Sequence, residues 1–219
     1  MIAGELISKQ RLYVQGTDTV RTALMSMNDH EINEIPLLAG DKYIGLLEDK
    51  ELLSYGQEEC LAELDLPLNR KFLHPTEHLF NVLGKFSEWH LTAIPVVDQE
   101  EKYIGVLLQD EIVDFYNKSF AFSNPGSIIV LEMDEVAYSL SKLVQIIENE
   151  GAKILGIFVS KGESEHQLIL TIKLSSLEVL TLKNHLERHN YKIKAIYSEQ
   201  EYMETLNERY NALMHYLNL

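Results

Sequence analysis

"EIPLLAGDKYIGLLEDKELL", residues 34–53, sets a proline-led apolar run, a glycine-aspartate turn and a second apolar run ahead of an acidic helix start. Two apolar runs around so short a turn read as a β-hairpin feeding a helix. The stretch has an echo. Residues 93–113, "AIPVVDQEEKYIGVLLQDEIV", repeat it with one extra residue in the turn. Ile35-Pro36 lies over Ile94-Pro95, and Tyr43-Ile44-Gly45 over Tyr103-Ile104-Gly105. Self-similarity of this kind predicts two copies of one structural unit.

The segments upstream of each hairpin agree as well. Thr17 is placed to cap a helix carrying Val20, Ala23, Leu24 and Met27 at i, i+3, i+4, i+7 spacing. Thr76 is placed likewise before Leu79, Val82, Leu83 and Phe86. Each unit therefore reads helix, strand, turn, strand, helix. Pro36 and Pro95 fall at strand starts, where a missing N–H is tolerated. The apolar runs are continuous rather than alternating, which predicts strands covered on both faces. One unit of about fifty residues is marginal alone. Two sharing a core give a module with pseudo-twofold symmetry and two equivalent clefts.

The pattern changes at the turn-rich segment Ser123-Asn124-Pro125-Gly126. Beyond it, strands are expected at 127–134, 153–161, 166–174 and 192–198. Helices are expected at 137–151, with Leu140, Leu143, Ile146 and Ile147 as its buried stripe, and from Ser176. The order β-α-β-β-α-β is the ferredoxin-like split motif. The expected class is therefore α/β (α+β), with repeats over 1–58 and 59–120, a ferredoxin-like domain over 127–198 and a helix over 199–219. In that last segment Met203, Leu206, Tyr210, Leu213 and Leu217 keep 3-4-3-4 spacing. The stripe predicts packing on the chain itself or pairing with a second subunit.

A net charge of −15 opposes binding to nucleic acid or an anionic membrane. Cys60 is the single cysteine, so no intrachain disulfide forms, and a reducing cytoplasm is the expected location. The first residues lack a signal-peptide apolar stretch, and no run approaches the ~18 apolar residues of a membrane span. His185 and His189 are spaced i, i+4, but Leu186 follows the first histidine where a zinc-protease helix has Glu, so a solvated helix face is expected. No nucleophile–base pair or phosphate-cradling glycine loop is present in the sequence. Neither a catalytic residue nor a metal site is expected.

The doubled "IP-apolar-apolar … Y-I-G-apolar-apolar" pattern resembles a tandem of CBS domains (a Bateman module) over residues 1 to about 118. That resemblance implies a regulatory module whose clefts bind adenosine compounds such as AMP, ATP or S-adenosylmethionine. The family's pattern runs from the glycine to a Ser/Thr three residues on and an Asp three further. Here Gly45 leads to Glu48 and Glu51, and Gly105 to Leu108 and Glu111. Glu51 and Glu111 are the ribose candidates, with the backbone at Ile35-Pro36 and Ile94-Pro95 framing the adenine. Thr17 and Thr76 are caps first and ligand contacts second. Glu48 would repel a phosphate ~5 Å away by roughly 3 kcal/mol at an effective dielectric constant of ~20. Unless Lys50, Arg21 or a bound Mg²⁺ compensates, a neutral or cationic adenosyl ligand suits this sign better.

The C-terminal third resembles an ACT-like domain. Its first strand-to-helix turn, "MDEVAYSL", lacks the glycine that such domains use beside an amino-acid ligand. The module order is similar to that of the acetoin-utilisation regulatory family of bacteria. Together these features predict a non-catalytic sensor that requires no cofactor and takes an adenosyl ligand. It would relay occupancy to the ACT-like domain or a protein partner, with homodimers formed through the CBS module, the ACT-like sheet or the C-terminal helix. The competing reading is a ligand-free interaction scaffold, marked by apolar side chains filling the clefts, as Leu108 hints on one side.

Overall fold

The structure, a computed structural model, describes residues 1–120, 124–175 and 179–198. The expected helix at 199–219 lies outside the described residues, as do Ser123 and residues 176–178. The chain divides into two compact units, Met1–Tyr116 and Asn117–Leu219.

In the first unit β1 (Val14–Gln15) leads into α1 (Val20–Asp29), and the hairpin β2 (Glu34–Ala39) and β3 (Lys42–Glu48) ends in the short α2 (Asp49–Leu52). The second repeat supplies α3 (Leu79–Trp89), the hairpin β4 (Ala93–Val97) and β5 (Tyr103–Leu108), and α4 (Gln109–Ser119). Both hairpins keep the same register. Pro36 faces Leu46 and Leu37 faces Gly45; Pro95 faces Val106 and Val96 faces Gly105. Each also carries an irregularity one pair later, at Leu37/Leu38 and Val96/Val97. The repeat thus extends to a shared β-bulge, a feature that re-aims the strand rather than a defect.

The hairpins meet tip to tip. Tyr43 N donates to Glu101 O at 3.0 Å, and Tyr103 N donates to Asp41 O at 2.9 Å. The tyrosine hydroxyls repeat the reciprocity, Tyr43 to Lys71 O at 2.9 Å and Tyr103 to Leu12 O at 2.7 Å. Burial raises the pKa of both phenols, so both stay donors. Two apolar cores form, and each draws on both repeats. Leu38, Tyr43 and Leu46 join Leu79, Val82 and Ile94 in one; Ala93, Val106 and Leu108 join Val20, Ile35 and Leu47 in the other. Since each fully buried aliphatic side chain contributes roughly 1.5–3 kcal/mol, neither repeat has its stabilisation to itself.

The helix caps differ from expectation. Thr19, not Thr17, caps α1, accepting from Thr22 N at 3.3 Å; His78, not Thr76, caps α3, accepting from Phe80 N at 3.2 Å. Thr17 and Thr76 instead sit inside tight turns. The Asp18 carboxylate accepts from Gln15 N at 2.7 Å, and the Glu77 carboxylate accepts from His74 N at 2.8 Å. An acidic side chain one residue after each threonine closes the turn first, so the helix starts later.

The second unit contains β6 (Ser127–Asp134), α5 (Leu140–Asn149), β7 (Ile154–Lys161), β8 (Gln167–Leu174), α6 (Leu180–Arg188) and β9 (Lys192–Ser198). Its antiparallel sheet has the order β7-β8-β6-β9, the ferredoxin-like arrangement. Ile129, Leu131, Leu170 and Ile172 pack with Leu143 and Ile147 of α5 and Leu182 and Leu186 of α6. Helix α5 begins later than the spacing suggests, because Glu135–Ala137 form a 3₁₀ turn. Leu140 is therefore its first residue and is 40% exposed rather than part of the buried stripe. His185 Nδ1 is engaged by the Glu150 carboxylate.

Candidate functional site

Two approach segments run past the hairpin tips, one ahead of each repeat. In the first, Ser8 N donates to Val106 O at 2.9 Å; in the second, Asn69 N donates to Leu46 O at 3.4 Å. Farther along, Val14 pairs in parallel with Leu37, and Leu73 with Val96. Between these fixed points the chain advances six positions from Ser8 to Val14 and four from Asn69 to Leu73. The first approach is thus two residues longer, and between buried Ser8 and Leu12 it forms an exposed bow, Lys9–Arg11.

A cleft of about 580 Å³ is lined by Ser8–Arg11, Tyr13 and Gln15 of this segment together with Leu38, Gly40-Asp41 and Tyr103-Ile104-Gly105 of the hairpins. Gln15 braces the wall, its amide giving and taking hydrogen bonds with the Gly40 backbone at 2.9 and 3.1 Å. The tyrosine hydroxyl of Tyr103 pins the bow at Leu12, as above. Gly105 is required by the close approach of Ile7, whose Cγ2 would lie 2.3 Å from an added Cβ.

The same places in the other repeat are built alike at the glycine and differ in their charges. Leu68 lies over Gly45, its Cβ 2.9 Å from where a Cβ would stand, and Leu66 and Leu68 pack on the apolar core. Arg70 there binds the Glu101 carboxylate at 2.7 Å, and Lys42 adds a contact at 3.1 Å. Those hydrogen bonds, from Lys42 and then Arg70, hold the Glu101 carboxyl below the usual carboxylate range. The matching residues at the open cleft are Arg11 and Asp41. Among the described residues neither Lys9 nor Arg11 makes an ion pair, while Lys102 is drawn to Glu100 at 2.9 Å. The open cleft therefore presents two uncompensated cations against one carboxylate, in a chain of net charge −15.

None of the nine residues singled out from sequence lines this cleft. Ile35 and Ile94 are fully buried in the two cores, and Pro36 and Pro95 are buried beside them. Thr17 and Thr76 are exposed in their turns. Glu48 stands at the N-cap position of α2 and pairs with Lys50, while Arg21 pairs with Glu58. Both cations expected to offset Glu48 toward a phosphate are thus already committed. Glu51 is half-buried in the first turn of α2. Glu111 is connected to the open cleft through one bond: Ser8 Oγ donates to its Oε1 at 2.9 Å. The cationic bow, Ser8 to Arg11, escaped sequence reading because its place depends on contacts with the other repeat. Its one signal was the two-residue difference in approach length.

A buried carboxylate also went unnoticed. Glu34 is 4% exposed and accepts from Thr92 N at 2.9 Å, Thr92 Oγ1 at 2.7 Å and Ala93 N at 3.3 Å. It ties β2 to the start of β4. Burial raises its pKa despite those donors, with the Glu48 charge adding to the rise.

The family model for the CBS domain matches residues 3–58 and 68–118. A CBS domain pair/ACT domain protein from Thermotoga maritima aligns over 54% of this chain and 98% of its own, at 20% identity and a TM-score of 0.48. CBSX2, solved in complex with AMP, aligns over 53% and 96%, at 20% identity and 0.46. A CBS domain pair solved with 5′-methylthioadenosine and S-adenosyl-L-methionine aligns over 54% and 97%, at 19% identity and 0.45. The matched segments coincide with the two hairpin repeats, whose register, bulge and tip-to-tip bonding correspond pair by pair. Residues 3–58 and 68–118 are a tandem pair of CBS domains.

Proposed function

We propose that the tandem CBS unit is a sensor with a single working cleft, and that this cleft takes a phosphate-bearing adenosyl ligand of the AMP or ATP class. The observation that carries the reading is the contrast between Arg11 and Arg70. Arg70 is neutralised by Glu101, whereas Arg11 and Lys9 face a 580 Å³ cleft without a partner among the described residues. An anionic group would supply the missing charge and accept charge-assisted hydrogen bonds from the guanidinium fork. The sign differs from the one inferred around Glu48, because Glu48 does not line this cleft.

Glu111 is the ribose acceptor in this account, and Ser8 is its occupant in the absence of ligand. A ribose hydroxyl replacing Ser8 Oγ would release the bow from α4. Occupancy then becomes a choice between two positions of one segment, and the ligand shifts their populations by its difference in affinity for them. The C-terminal unit serves as an ACT-like regulatory domain that receives the change or passes it to a protein partner. Thr17, Thr76, Ile35, Pro36, Ile94 and Pro95 have supporting roles in the turns and cores, and Glu48 and Glu51 none in binding.

Calorimetric titration of the full chain with AMP, ATP, S-adenosylmethionine and adenosine tests this. Heat for AMP and ATP, with little for adenosine, supports the reading. Equal heat for adenosine, or none for any of the four with a folded chain, overturns it. The second reading, an interaction scaffold, draws on Leu66 and Leu68, apolar side chains packed on the core beside Gly45. It predicts silence in all four titrations.

A further inference from the structure

The segment that walls the cleft is extended from Arg11 to Gln15. Burial alternates along it, with Leu12 and Val14 inside and Arg11 and Tyr13 exposed. Arg11, Tyr13 and Gln15 therefore share one face, and all three line the cleft. Successive side chains on such a face start ~7 Å apart. The ribose of a nucleoside 5′-phosphate separates phosphate from base by a similar span. A phosphate held at Arg11 thus sets its base beside Tyr13.

Tyr13 is held as an aromatic wall. Its ring meets Tyr103 edge to face, with centroids 5.7 Å apart and planes at 67°. Tyr103 is itself tied at both ends, its hydroxyl donating to Leu12 O at 2.7 Å and its amide to Asp41 O at 2.9 Å. An edge-to-face pair uses at most one face of each ring, so Tyr13 keeps a second face for a planar group. The other repeat carries the same pair, Phe72 against Tyr43 at 6.1 Å and 74°. There the further contacts are internal. Phe72 also meets His74 edge-on at 5.4 Å and packs on an apolar core. Pairing with a tyrosine is thus common to both repeats, and what sets Tyr13 apart is the cleft it lines.

We propose that Tyr13 is the base-recognition residue of this cleft, stacking on the adenine of a nucleotide whose phosphate Arg11 holds. The inference rests on the reading of the cleft as a site for a phosphate-bearing adenosyl ligand. Every nucleobase presents a π-face, and its stacking on an aromatic side chain adds affinity whatever the groups on its edge. Gln15, next on the same face, spends both ends of its amide on the Gly40 backbone, at 2.9 and 3.1 Å. Stacking is therefore the base contact that this wall offers. The cleft then tells a nucleotide from a bare sugar phosphate through Tyr13.

The test is calorimetric titration of the full chain with AMP and with ribose 5-phosphate, on the parent, Tyr13→Leu and Tyr13→Phe. Tyr13→Leu should lose roughly five- to 150-fold in AMP affinity, and Tyr13→Phe should keep it. Ribose 5-phosphate should bind all three alike, which also shows that the variants keep a folded cleft. Proton NMR of AMP with the parent chain reads the same contact without a substitution: the adenine H2 and H8 lines should move upfield on binding, as they do over an aromatic ring. AMP bound equally well by Tyr13→Leu, or bound adenine lines that stay in place, overturns the role of Tyr13 and leaves the phosphate site standing. Equal losses for AMP and ribose 5-phosphate in Tyr13→Leu would make Tyr13 a structural support and overturn its role too. No binding of AMP to the parent overturns the phosphate site and the role of Tyr13 with it.

Discussion

Arg11 and Arg70 stand at matching places in the two repeats and differ in one neighbour, the carboxylate of Glu101. That difference sets distinct expectations for their removal. Arg11→Ala should leave thermal stability within experimental error and weaken AMP binding by about 1.5–3 kcal/mol, the worth of a hydrogen bond to a charged group. Calorimetry reads this as a roughly ten- to hundredfold loss of affinity. Arg70→Ala breaks an exposed pair and should cost under ~1 kcal/mol of stability without touching affinity. Glu34 gives a pH-dependent expectation. Burial holds its folded-state pKa above the unfolded value. Stability tied to this carboxyl is therefore complete below the unfolded value and falls as pH rises through the folded one. Glu34→Gln removes the titration, so the variant should gain on the parent in urea unfolding as pH rises above the unfolded-state value of about 4.3. A gap independent of pH would contradict the assignment. Neither residue was legible beforehand. A lone arginine in a polar approach segment has no pattern, and a glutamate before Ile-Pro reads as exposed until the second repeat is packed on it.

At the level of elements, the hairpins were readable and their surroundings less so. A period of sixty residues, with proline and glycine in register, determines two copies of one hairpin whatever the helices do. The strands at 127–134 and 192–198 were placed to the residue, since both are bounded by turn-forming or polar residues. Helix starts were misplaced because Asp18 and Glu77 close turns around Thr17 and Thr76, a local competition that apolar spacing does not register. The two-residue β1 is too short to leave a pattern at all. Glycines give the sharpest element-level tests. Gly126 has φ of 152°, and an added Cβ would stand 2.0 Å from Leu174 O. Gly126→Ala should therefore break the start of β6 and cost more than the ~1–3 kcal/mol of ordinary overpacking. Gly105→Ala meets the branched Ile7 side chain instead and should fall within that range, with partial recovery in the double variant Gly105→Ala/Ile7→Ala. Thermal melts of the three variants check both statements.

For the whole molecule, the duplication explains the fold of the first unit, and its imperfection is the basis of the proposed function. Strict symmetry would have made both clefts alike. Two extra residues before β1 lengthen one approach, and Glu101 neutralises Arg70 in the other, the difference on which the proposal of a single working cleft rests. That asymmetry was hidden in the sequence because the approach segments share almost no residue identity and align only once Val14 and Leu73 are seen in matching pairings. The glycine-to-glutamate spacing singled out Glu111, which accepts a hydrogen bond from Ser8 of the cleft wall. It carried equal weight at Glu51, which is half-buried in α2. The most direct measurement is the stoichiometry of AMP binding to the full chain by calorimetry, repeated with Arg11→Ala and Arg70→Ala. The account predicts one site per chain, weakened by the first substitution and indifferent to the second. Two equivalent sites, or one site that depends on Arg70 instead, would contradict it.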